Sequence, residues 1–357
     1  MSFRGGVKVH RHALASNLMK TILVTGGAGF VGSQACKALA RRGFRPVVFD
    51  NFERGHDWAV KWGPLAQGDI RDESDLHRAF EAWRPWAVMH FAAYAYVGES
   101  SVEPIKYYDT NVGGTAKLLK VCAAFECRRV VFSSSCAIYG IPARLPLAEE
   151  DPQHAVNPYG YTKPVAEQML ADAEAAYGIR HVTLRYFNAT GADPDGELGE
   201  SHEPETHLIP LVLFSALGRQ SSMNVFGDDY PTPDGTCIRD YVHVSDLADA
   251  HVAALNWLAA GKPSNSFNLG NGRGSSVAEV IRIAEEITGL AIRANICPRR
   301  AGDPPSLISD STKARQLLGW TPNFPDLEQQ IAHAWKWFRN EPPEVVPGAN
   351  QAAGGRA

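Results

Sequence analysis

A tyrosine and a lysine four residues apart, Tyr159 and Lys163, have the types and spacing of a proton-transfer pair. Positions i and i+4 of a helix project from the same face, so the two side chains lie side by side if the segment is helical. An unperturbed phenol, with a pKa of about 10, is a poor base at neutral pH. A nearby ammonium, together with a cationic nicotinamide, favours the phenolate. The pattern alone also occurs as ordinary surface chemistry, so other residues must support it.

Three consecutive serines, Ser133, Ser134 and Ser135, end the strand predicted before this helix. Parallel sheets bind their ligands at the carboxyl ends of their strands. We therefore expect one of these hydroxyls to hold a substrate oxygen in line with Tyr159. No Gly-x-Ser-x-Gly elbow surrounds the serines, so they do not indicate a hydrolase.

A glycine-rich turn lies near the start of the chain, where Gly26, Gly29 and Gly32 follow a predicted strand and open a helix. Such glycines let backbone N–H groups approach a pyrophosphate. The next strand ends in Asp50, whose carboxylate can accept hydrogen bonds from a ribose and would repel a 2′-phosphate. The pattern predicts NAD binding, whereas Ser33 stands where a P-loop requires lysine. The alternative interpretation is an ordinary turn followed by a solvated aspartate.

Alternating strands and helices are needed to position these residues. Predicted strands lie at Thr21–Thr25, Pro46–Asp50, Ala87–Phe91, Arg129–Ser134 and His181–Phe187. Predicted helices lie at Gly32–Arg42, Glu73–Trp83, Asn111–Phe125 and Pro158–Tyr177. This alternation predicts an α/β fold, a Rossmann-type doubly wound parallel sheet. After Asn188, shorter elements and Gly- and Pro-rich loops predict a smaller C-terminal α/β substrate domain.

The domain division that we expect has four parts. They are a disordered leader at 1–19, an NAD-binding domain at 20–188, a mainly substrate-binding domain at 189–340 with some chain crossing back, and a disordered tail at 341–357. The leader lacks the apolar core of a secretory signal. The tail is rich in Pro, Gly and Ala, a composition that does not build a core.

Composition excludes several classes of protein. The 357 residues include 35 basic and 39 acidic side chains, and this balance gives no basis for nucleic-acid binding. No apolar stretch is long enough to cross a membrane. Six cysteines without a Cys-x-x-Cys pair predict reduced thiols and a cytoplasmic location. The stretch 202–207 contains two histidines, but its spacing and its proline do not fit His-Glu-x-x-His, so we expect no metal site.

Together these features resemble the UDP-glucose 4-epimerase family of the extended short-chain dehydrogenase/reductase superfamily, from about Thr21 to Arg339. Further segments that carry the resemblance are Gly68–Arg71, His90–Ala93, Val97–Ser100, Tyr107–Asp109, Phe132–Gly140, Asn157–Lys163, Leu184–Asn188, Phe226–Val244 and Pro298–Asp303. So many matches in order are more specific than any single motif. The resemblance implies an NAD cofactor, a UDP-sugar substrate between two domains, and a homodimer formed by the helices at 111–125 and 158–177.

The resemblance also implies roles for individual residues, with Ser135, Tyr159 and Lys163 as the catalytic set. The cofactor-binding residues would be Gly26, Gly29, Phe30, Val31, Gly32, Asp50, Asn51, Asp69, Ile70, Phe91, Ala92, Ala93, Ser133, Tyr159, Lys163 and Phe187. The substrate-binding residues would be Ser135, Asn188, His207, Leu208, Val225, Phe226, Arg239, Arg300, Asp303 and Leu307. Arginine forks suit a diphosphate, although without the family Arg239 and Arg300 would be read as surface ion pairs.

The implied reaction interconverts UDP-galactose and UDP-glucose. Tyr159 would remove the proton of the sugar 4-hydroxyl while hydride passes from C4 to tightly bound NAD. The 4-keto sugar would then turn over, and hydride would return to its opposite face. Binding energy at the UDP end would hold the intermediate during this rotation.

Three positions depart from the family pattern and leave the preferred sugar open. Ala95 stands where many members have lysine, His207 where some have asparagine, and Leu307 where some have tyrosine. The smaller leucine would admit UDP-N-acetylhexosamines, and residues 90–100 also resemble UDP-arabinose 4-epimerases, so a preference for UDP-arabinose or UDP-xylose is a further alternative. Hexose remains the first choice, since Lys61–Asp72 and His202–Pro210 are more similar to the hexose enzymes. The Cys136-Ala137 pair disfavours a nucleotide-sugar dehydratase, which has an acidic pair there. The intact catalytic set disfavours a non-catalytic NAD-binding protein.

Overall fold

The computed structural model describes residues 19–300 and 302–340. Nearly all of the predicted leader at 1–19 and the whole predicted tail at 341–357 lie outside the described residues. Among the described residues, no helix has the length and apolar character that a membrane span requires.

Thirteen strands lie in the described part of the chain. They are β1 (Thr21–Thr25), β2 (Arg45–Asp50), β3 (Leu65–Gln67), β4 (Ala87–His90), β5 (Arg129–Ser135), β6 (Arg180–Tyr186), β7 (Asn188–Thr190), β8 (Met223–Phe226), β9 (Ile238–His243), β10 (Asn265–Leu269), β11 (Gly274–Ser276), β12 (Ala294–Cys297) and β13 (Ser306–Leu307). Seven of them form one parallel sheet in the order β10-β6-β5-β4-β1-β2-β3. This is the predicted doubly wound sheet.

Ten α-helices connect these strands within the same described residues. They are α1 (Phe30–Arg41), α2 (Glu73–Trp83), α3 (Val97–Val102), α4 (Pro104–Tyr107), α5 (Thr115–Ala124), α6 (Pro158–Tyr177), α7 (Leu208–Ala216), α8 (Val244–Ala259), α9 (Val277–Thr288) and α10 (Leu327–Arg339). Short 3-10 turns lie at Asp57–Ala59 and Cys136–Tyr139, and π-helical turns at Tyr108–Gly114 and Ala314–Leu318.

Helices cover both faces of the large sheet, which explains why its central strands β1 and β4 are buried along almost their whole length. On one face α1 and α8 pack together, and Leu39 and Leu255 from these helices join a core that includes Val24 of β1. On the other face α2, α5 and α6 bury Leu76, Leu118 and Leu170. The carboxyl ends of the strands are left accessible between the helices.

The second layer is smaller and built from shorter elements. Strand β9 pairs with β7, β11 and β13, while β8 pairs with β12. Helices α7, α9 and α10 pack with them around Ile209, Val280 and Ile331. Both β10 and α8 come after residue 188 yet belong to the large sheet and its cover, so the chain crosses back between the layers.

Helix α6, which carries the tyrosine–lysine pair, has clear signals at both ends. The Asn157 side chain accepts a hydrogen bond from Gly160 N at 2.8 Å, and Pro158 occupies the first helical position. Gly178 ends the helix in the left-handed conformation. These signals explain why the predicted bounds of this helix agree with the structure.

The prediction of one helix over Asn111–Phe125 was wrong at its start. Residues Tyr108–Gly114 form a π-helical turn, and α5 begins only at Thr115. In that turn the Asn111 side chain both accepts from Tyr94 N and donates to Tyr94 O, at 2.9 and 3.0 Å. The turn thereby holds the segment after β4 in place, an interaction that helical periodicity does not reveal.

Candidate active site

Helix α6 and strand β5 bring the predicted catalytic side chains together. Tyr159 and Lys163 lie in the first turns of α6, and both are buried. The Lys163 ammonium lies 5.7 Å from the centre of the Tyr159 ring and donates to Ser133 O at 2.9 Å. Ser135 ends β5, and its side chain lies beside the Tyr159 phenol. The three groups thus converge at the carboxyl edge of the large sheet.

The three serines have different surroundings. Only Ser135 lines the cleft at this edge of the sheet. The Ser133 hydroxyl shares a hydrogen bond of 2.7 Å with the Tyr186 hydroxyl, and the Ser134 hydroxyl donates to Glu167 Oε1 at 2.6 Å. Ser135 is therefore the serine that is available to a substrate, while Ser133 supports the pair from behind.

Burial dominates the electrostatics of the pair. It raises the pKa of Tyr159 above its ordinary value, although the neighbouring Ser135 hydroxyl acts in the opposite direction. Burial also lowers the pKa of Lys163 to about 8, against the charge of Glu167. The Lys163 ammonium alone therefore does not bring the pKa of Tyr159 close to neutral pH. The spacing of the two residues had suggested that the ammonium would help to do so. The phenolate needs an additional positive charge, which a bound cationic ring supplies.

The glycine-rich turn makes the tight approaches that a dinucleotide site requires. Gly26 has φ +69°, and a Cβ there would lie 2.6 Å from Ala92 N. A Cβ on Gly32 would lie 2.1 Å from Gly26 O, so α1 packs directly on the turn. A Cβ on Gly29 would meet only Gly26 O, at 3.4 Å, and this side of the turn opens into the cleft. The turn is thus a cradle shaped for a phosphate group.

Two carboxylates line the same end of the cleft. Asp50 accepts hydrogen bonds from Ala28 N at 3.0 Å and from Phe52 N at 2.9 Å, which fix its orientation. Burial raises the pKa of Asp50, while these two bonds lower it in part. Asp69 pairs with Arg71, and this hydrogen-bonded partner lowers the pKa of Asp69 to about 2. The Asp50 carboxylate is therefore held in a fixed orientation, and its contact with a ribose stays a prediction.

The predicted cofactor residues, with two exceptions, line this cleft. Those that line it are Gly26, Gly29, Phe30, Val31, Gly32, Asp50, Asn51, Asp69, Ile70, Phe91, Ala92, Ala93, Tyr159 and Phe187. Ser133 and Lys163 lie behind the wall instead. An open glycine cradle followed by an oriented carboxylate fits NAD, which these residues would hold.

The opposite end of the cleft contains the predicted substrate residues. Those that line it are Ser135, Asn188, His207, Leu208, Val225, Phe226, Arg239, Arg300, Asp303 and Leu307. Arg239 forms a close ion pair with Asp303, and the Arg300 guanidinium lies 3.9 Å from the centre of the Phe226 ring. The whole cleft has a volume of about 1130 Å³. This exceeds the usual size of a pocket for one small ligand, roughly 300–1,000 Å³.

Sequence reasoning missed two residues that shape the cleft. Tyr186 is the register partner of Ser135 across β5 and β6, and it lines the cleft beside Tyr159. The parallel register of two predicted strand ends was the signal that could have found it. Arg54 pairs with Glu99 at 3.0 Å and donates to Glu203 O at 2.6 Å, which joins the two layers across the cleft. Because its partner there is a backbone carbonyl, no residue pattern marks this contact.

Comparison with known proteins agrees with this geometry. Residues 22–270 match the model of the NAD dependent epimerase/dehydratase family. The chain belongs to this family. The resemblance seen in the sequence is therefore confirmed, and the dependence on NAD is a property of the family. A UDP-glucose 4-epimerase of Halalkalibacterium halodurans is 50% identical over 321 residues, which cover 90% of this chain and 96% of the relative.

Solved structures of members of this NAD dependent epimerase/dehydratase family share the fold. The UDP-glucose 4-epimerase of Brucella ovis in complex with NAD is 52% identical, with a TM-score of 0.87 and coverage of 89% of this chain and 98% of that one. The UDP-glucose 4-epimerase of Bifidobacterium longum in complex with NAD+ and UDP is 38% identical, with a TM-score of 0.87 and coverage of 92% and 100%. The predicted fold class is thereby confirmed.

Proposed function

We propose that this protein is a UDP-glucose 4-epimerase, an isomerase that interconverts UDP-galactose and UDP-glucose with NAD that stays bound. The observation that carries the proposal is that one cleft is lined by the glycine turn, by Ser135 and Tyr159, and by Arg239. The family and the identity of about half the residues with UDP-glucose 4-epimerases support the same activity. The reaction assigns the protein to galactose metabolism.

The chain supplies proton transfer and positioning. Bound NAD supplies reversible hydride transfer at carbon 4 of the sugar. Tyr159 Oη takes the proton of the 4-hydroxyl and later returns it, and the Ser135 hydroxyl beside the phenol orients the same sugar oxygen. Lys163, anchored on Ser133 O, keeps a buried ammonium beside the tyrosine. The 4-keto sugar forms between these groups and the cofactor end.

The substrate end anchors the diphosphate and leaves the sugar free. Arg239 has the donor geometry for a diphosphate, and it exchanges its pairing with Asp303 for the ligand. Asp303 is then free to accept a hydrogen bond from a ribose hydroxyl, and Arg300 approaches from the Phe226 side. Binding energy at this end holds the 4-keto sugar in the cleft while the hexose ring turns over.

Incubation with UDP-galactose tests the proposal directly. The purified protein, without added NAD, is expected to form UDP-glucose with no net accumulation of reduced cofactor, as followed by chromatography and absorbance. A 4-keto-6-deoxy sugar as the product would instead identify a dehydratase. The absence of conversion of any UDP-sugar, in protein that contains NAD, would identify a non-catalytic NAD-binding protein.

A broader sugar preference is a second candidate, and Leu307 favours it. This side chain lines the cleft and packs with Phe187, and it leaves space that a tyrosine would fill. UDP-N-acetylhexosamines are therefore admitted, and a pentose such as UDP-arabinose or UDP-xylose also fits the space. Relative kcat/KM values for these substrates and UDP-galactose decide the preference.

We further infer a homodimer in the cytoplasm. Helix α6 exposes Tyr161 and Val165 one turn apart, and α3 and α4, which contact α6, expose Val102 and Ile105. Adjacent exposed apolar side chains mark an association surface. Light scattering should give twice the chain mass, and Val165→Arg should give the single mass with a wild-type circular dichroism spectrum. Six free cysteines support the reducing compartment.

A further inference from the structure

Two glutamates and two histidines converge between β7 and α7, at the edge of the cleft. They are Glu200, His202, Glu205 and His207, and one potential ligand atom from each lies within 4.8 Å of all the others. The side chains of Glu200 and Glu205 are only 5% and 4% exposed, so the two carboxylates are buried, whereas the His207 side chain is 43% exposed.

The histidines and glutamates of this group, which we call the Glu-His cluster, are joined by close hydrogen bonds. His207 Nδ1 lies 2.9 Å from Glu200 Oε1 and 2.8 Å from Glu205 Oε1, and His202 Nδ1 lies 3.1 Å from Glu200 Oε1. A tetrahedral zinc ion with bonds of about 2.0–2.1 Å holds its ligand atoms roughly 3.3 Å apart. Small side-chain shifts therefore suffice to place an ion between the four groups.

An unpartnered oxygen within the cluster is a second, independent observation. Glu205 Oε1 accepts hydrogen bonds from Thr206 N and His207 N, at 2.7 and 2.8 Å. Glu205 Oε2 is buried and has no hydrogen-bond partner, and His202 Nδ1 lies 3.6 Å away. A buried carboxylate oxygen without a donor is costly unless a cation occupies the space that it faces.

We propose that the Glu-His cluster binds one divalent metal ion of the zinc class. Two imidazoles and two carboxylates are ligands that zinc accepts in tetrahedral sites. The two carboxylate charges balance the charge of the ion, so no net charge is buried. Binding releases the protons of the imidazoles, which otherwise pair with the carboxylates.

A second acidic group in the described residues shows why the Glu-His cluster is distinct. Asp193, Asp195 and Glu197 also approach one another, but Lys37 Nζ already lies among them, at 2.6, 2.9 and 2.5 Å. That group has its cation, and the ammonium occupies the position that an ion would take. It therefore serves as a matched control within the same chain.

Residues 202–207 were predicted not to bind a metal because their spacing and their proline do not fit the helical His-Glu-x-x-His motif. In His-Glu-x-x-His the two histidines share one helical face, whereas here residues 202–207 precede α7 in an irregular segment. The ligands instead converge because the Glu205 side chain turns back on its own backbone and Glu200 approaches from the preceding loop. Spacing along the chain does not reveal this arrangement.

Metal retention tests the site without reference to epimerase activity. The full-length protein is treated with chelator, incubated with zinc sulfate, desalted and analysed by inductively coupled plasma mass spectrometry. We expect one zinc ion per chain in the wild type and in the controls Asp195→Asn and His154→Asn. We expect the retained zinc to be lost in His207→Asn and in Glu205→Gln. Circular dichroism of the metal-free variants establishes that they are folded.

Cobalt substitution gives a readout on the wild-type protein alone, so the test does not depend on the folding of any variant. Cobalt(II) bound tetrahedrally by the Glu-His cluster should give an intense visible absorption band that stoichiometric zinc abolishes. A wild-type protein that retains no zinc and shows no such band would overturn the proposal. Equal zinc retention by the wild type and by folded Glu205→Gln would overturn it as well.

Discussion

The two ends of the cleft are built from different kinds of groups. At the cofactor end the glycine turn is shaped by its backbone: Gly26 and Gly32 leave no space for a Cβ, and two backbone N–H groups fix Asp50. At the substrate end the prominent groups are charged side chains on the smaller layer, where Arg239 pairs with Asp303. The reacting groups lie between these ends.

This difference explains how one molecule can be retained while another exchanges. A backbone cradle at the edge of a parallel sheet is already in its binding geometry, so little ordering is needed and binding is tight. At the substrate end the binding groups are long side chains that must be ordered around a diphosphate, which offsets part of the binding energy. We therefore expect NAD to stay through many turnovers and UDP-sugars to enter and leave.

Replacement of the acid–base group between the two ends should have the largest effect. Tyr159→Phe removes the hydroxyl that we propose exchanges a proton with the sugar, and we expect kcat to fall by about 10²- to 10⁴-fold. The NAD content per chain should stay at the wild-type value because the glycine turn and Asp50 are unchanged. Steady-state kinetics and cofactor release on denaturation measure the two quantities. Turnover within a few-fold of the wild type would show that another group transfers the proton.

Truncation at the substrate end should weaken substrate binding and leave NAD in place. Arg239→Ala removes charge-assisted hydrogen bonds worth about 1.5–3 kcal/mol, so kcat/KM should fall roughly 10- to 150-fold. Titration calorimetry with UDP should show the same loss. Arg299→Ala is a suitable control because that arginine pairs with Asp229 at 2.6 Å and does not line the cleft. An equal loss in this control would refute a specific role for Arg239.

A larger residue in the glycine turn should have the opposite effect: NAD binding should weaken, and substrate binding should stay unchanged. Gly32→Ala places a methyl group against Gly26 O, and the backbone shift costs about 1–3 kcal/mol, so NAD should bind roughly 5- to 150-fold more weakly. Activity should then depend on added NAD, while the KM for UDP-galactose at saturating NAD stays near the wild-type value. Gly113→Ala, whose Cβ would meet nothing closer than 3.6 Å, is the matched control. Full NAD retention by Gly32→Ala would contradict a backbone-built cofactor end.

The smallest effect concerns which sugar fits beside the reacting groups. Leu307→Tyr fills the space next to Phe187, and we expect it to lower kcat/KM for UDP-N-acetylgalactosamine about 10-fold relative to UDP-galactose. Leu307→Met, with a similar volume, should keep the wild-type ratio. An unchanged ratio in Leu307→Tyr would show that this position does not limit the sugar.

Elements with strong local signals were predictable from the sequence. Periodicity gave α2 at Glu73–Trp83, and a cap, a first-turn proline and a terminal glycine gave α6 at Pro158–Tyr177. The strand β3 at Leu65–Gln67 was missed because three residues are too few to show alternation. The strand β10 was missed as a member of the large sheet because its partner β6 is about 80 residues earlier in the chain.

The residues of the candidate site also divide into those with a local sequence signal and those without one. Residues in a contiguous pattern, such as the glycine turn and the Tyr159–Lys163 pair, were predictable as groups. Interactions between distant segments were not, since nothing in the local sequence links Arg54 to Glu203 O or Glu200 to His207. The raised pKa of Tyr159 also depends on burial by the whole fold, which outweighs the single charge that spacing predicts.

The proposed mechanism requires that the same hydrogen returns to the same sugar. The test uses UDP-galactose that carries deuterium at C4. The as-purified protein converts this substrate without added NAD, and the product is analysed by mass spectrometry. We expect UDP-glucose that keeps the deuterium at C4, because the hydrogen would leave and return as hydride within one cleft. UDP-glucose in which solvent hydrogen has replaced the deuterium would contradict this mechanism.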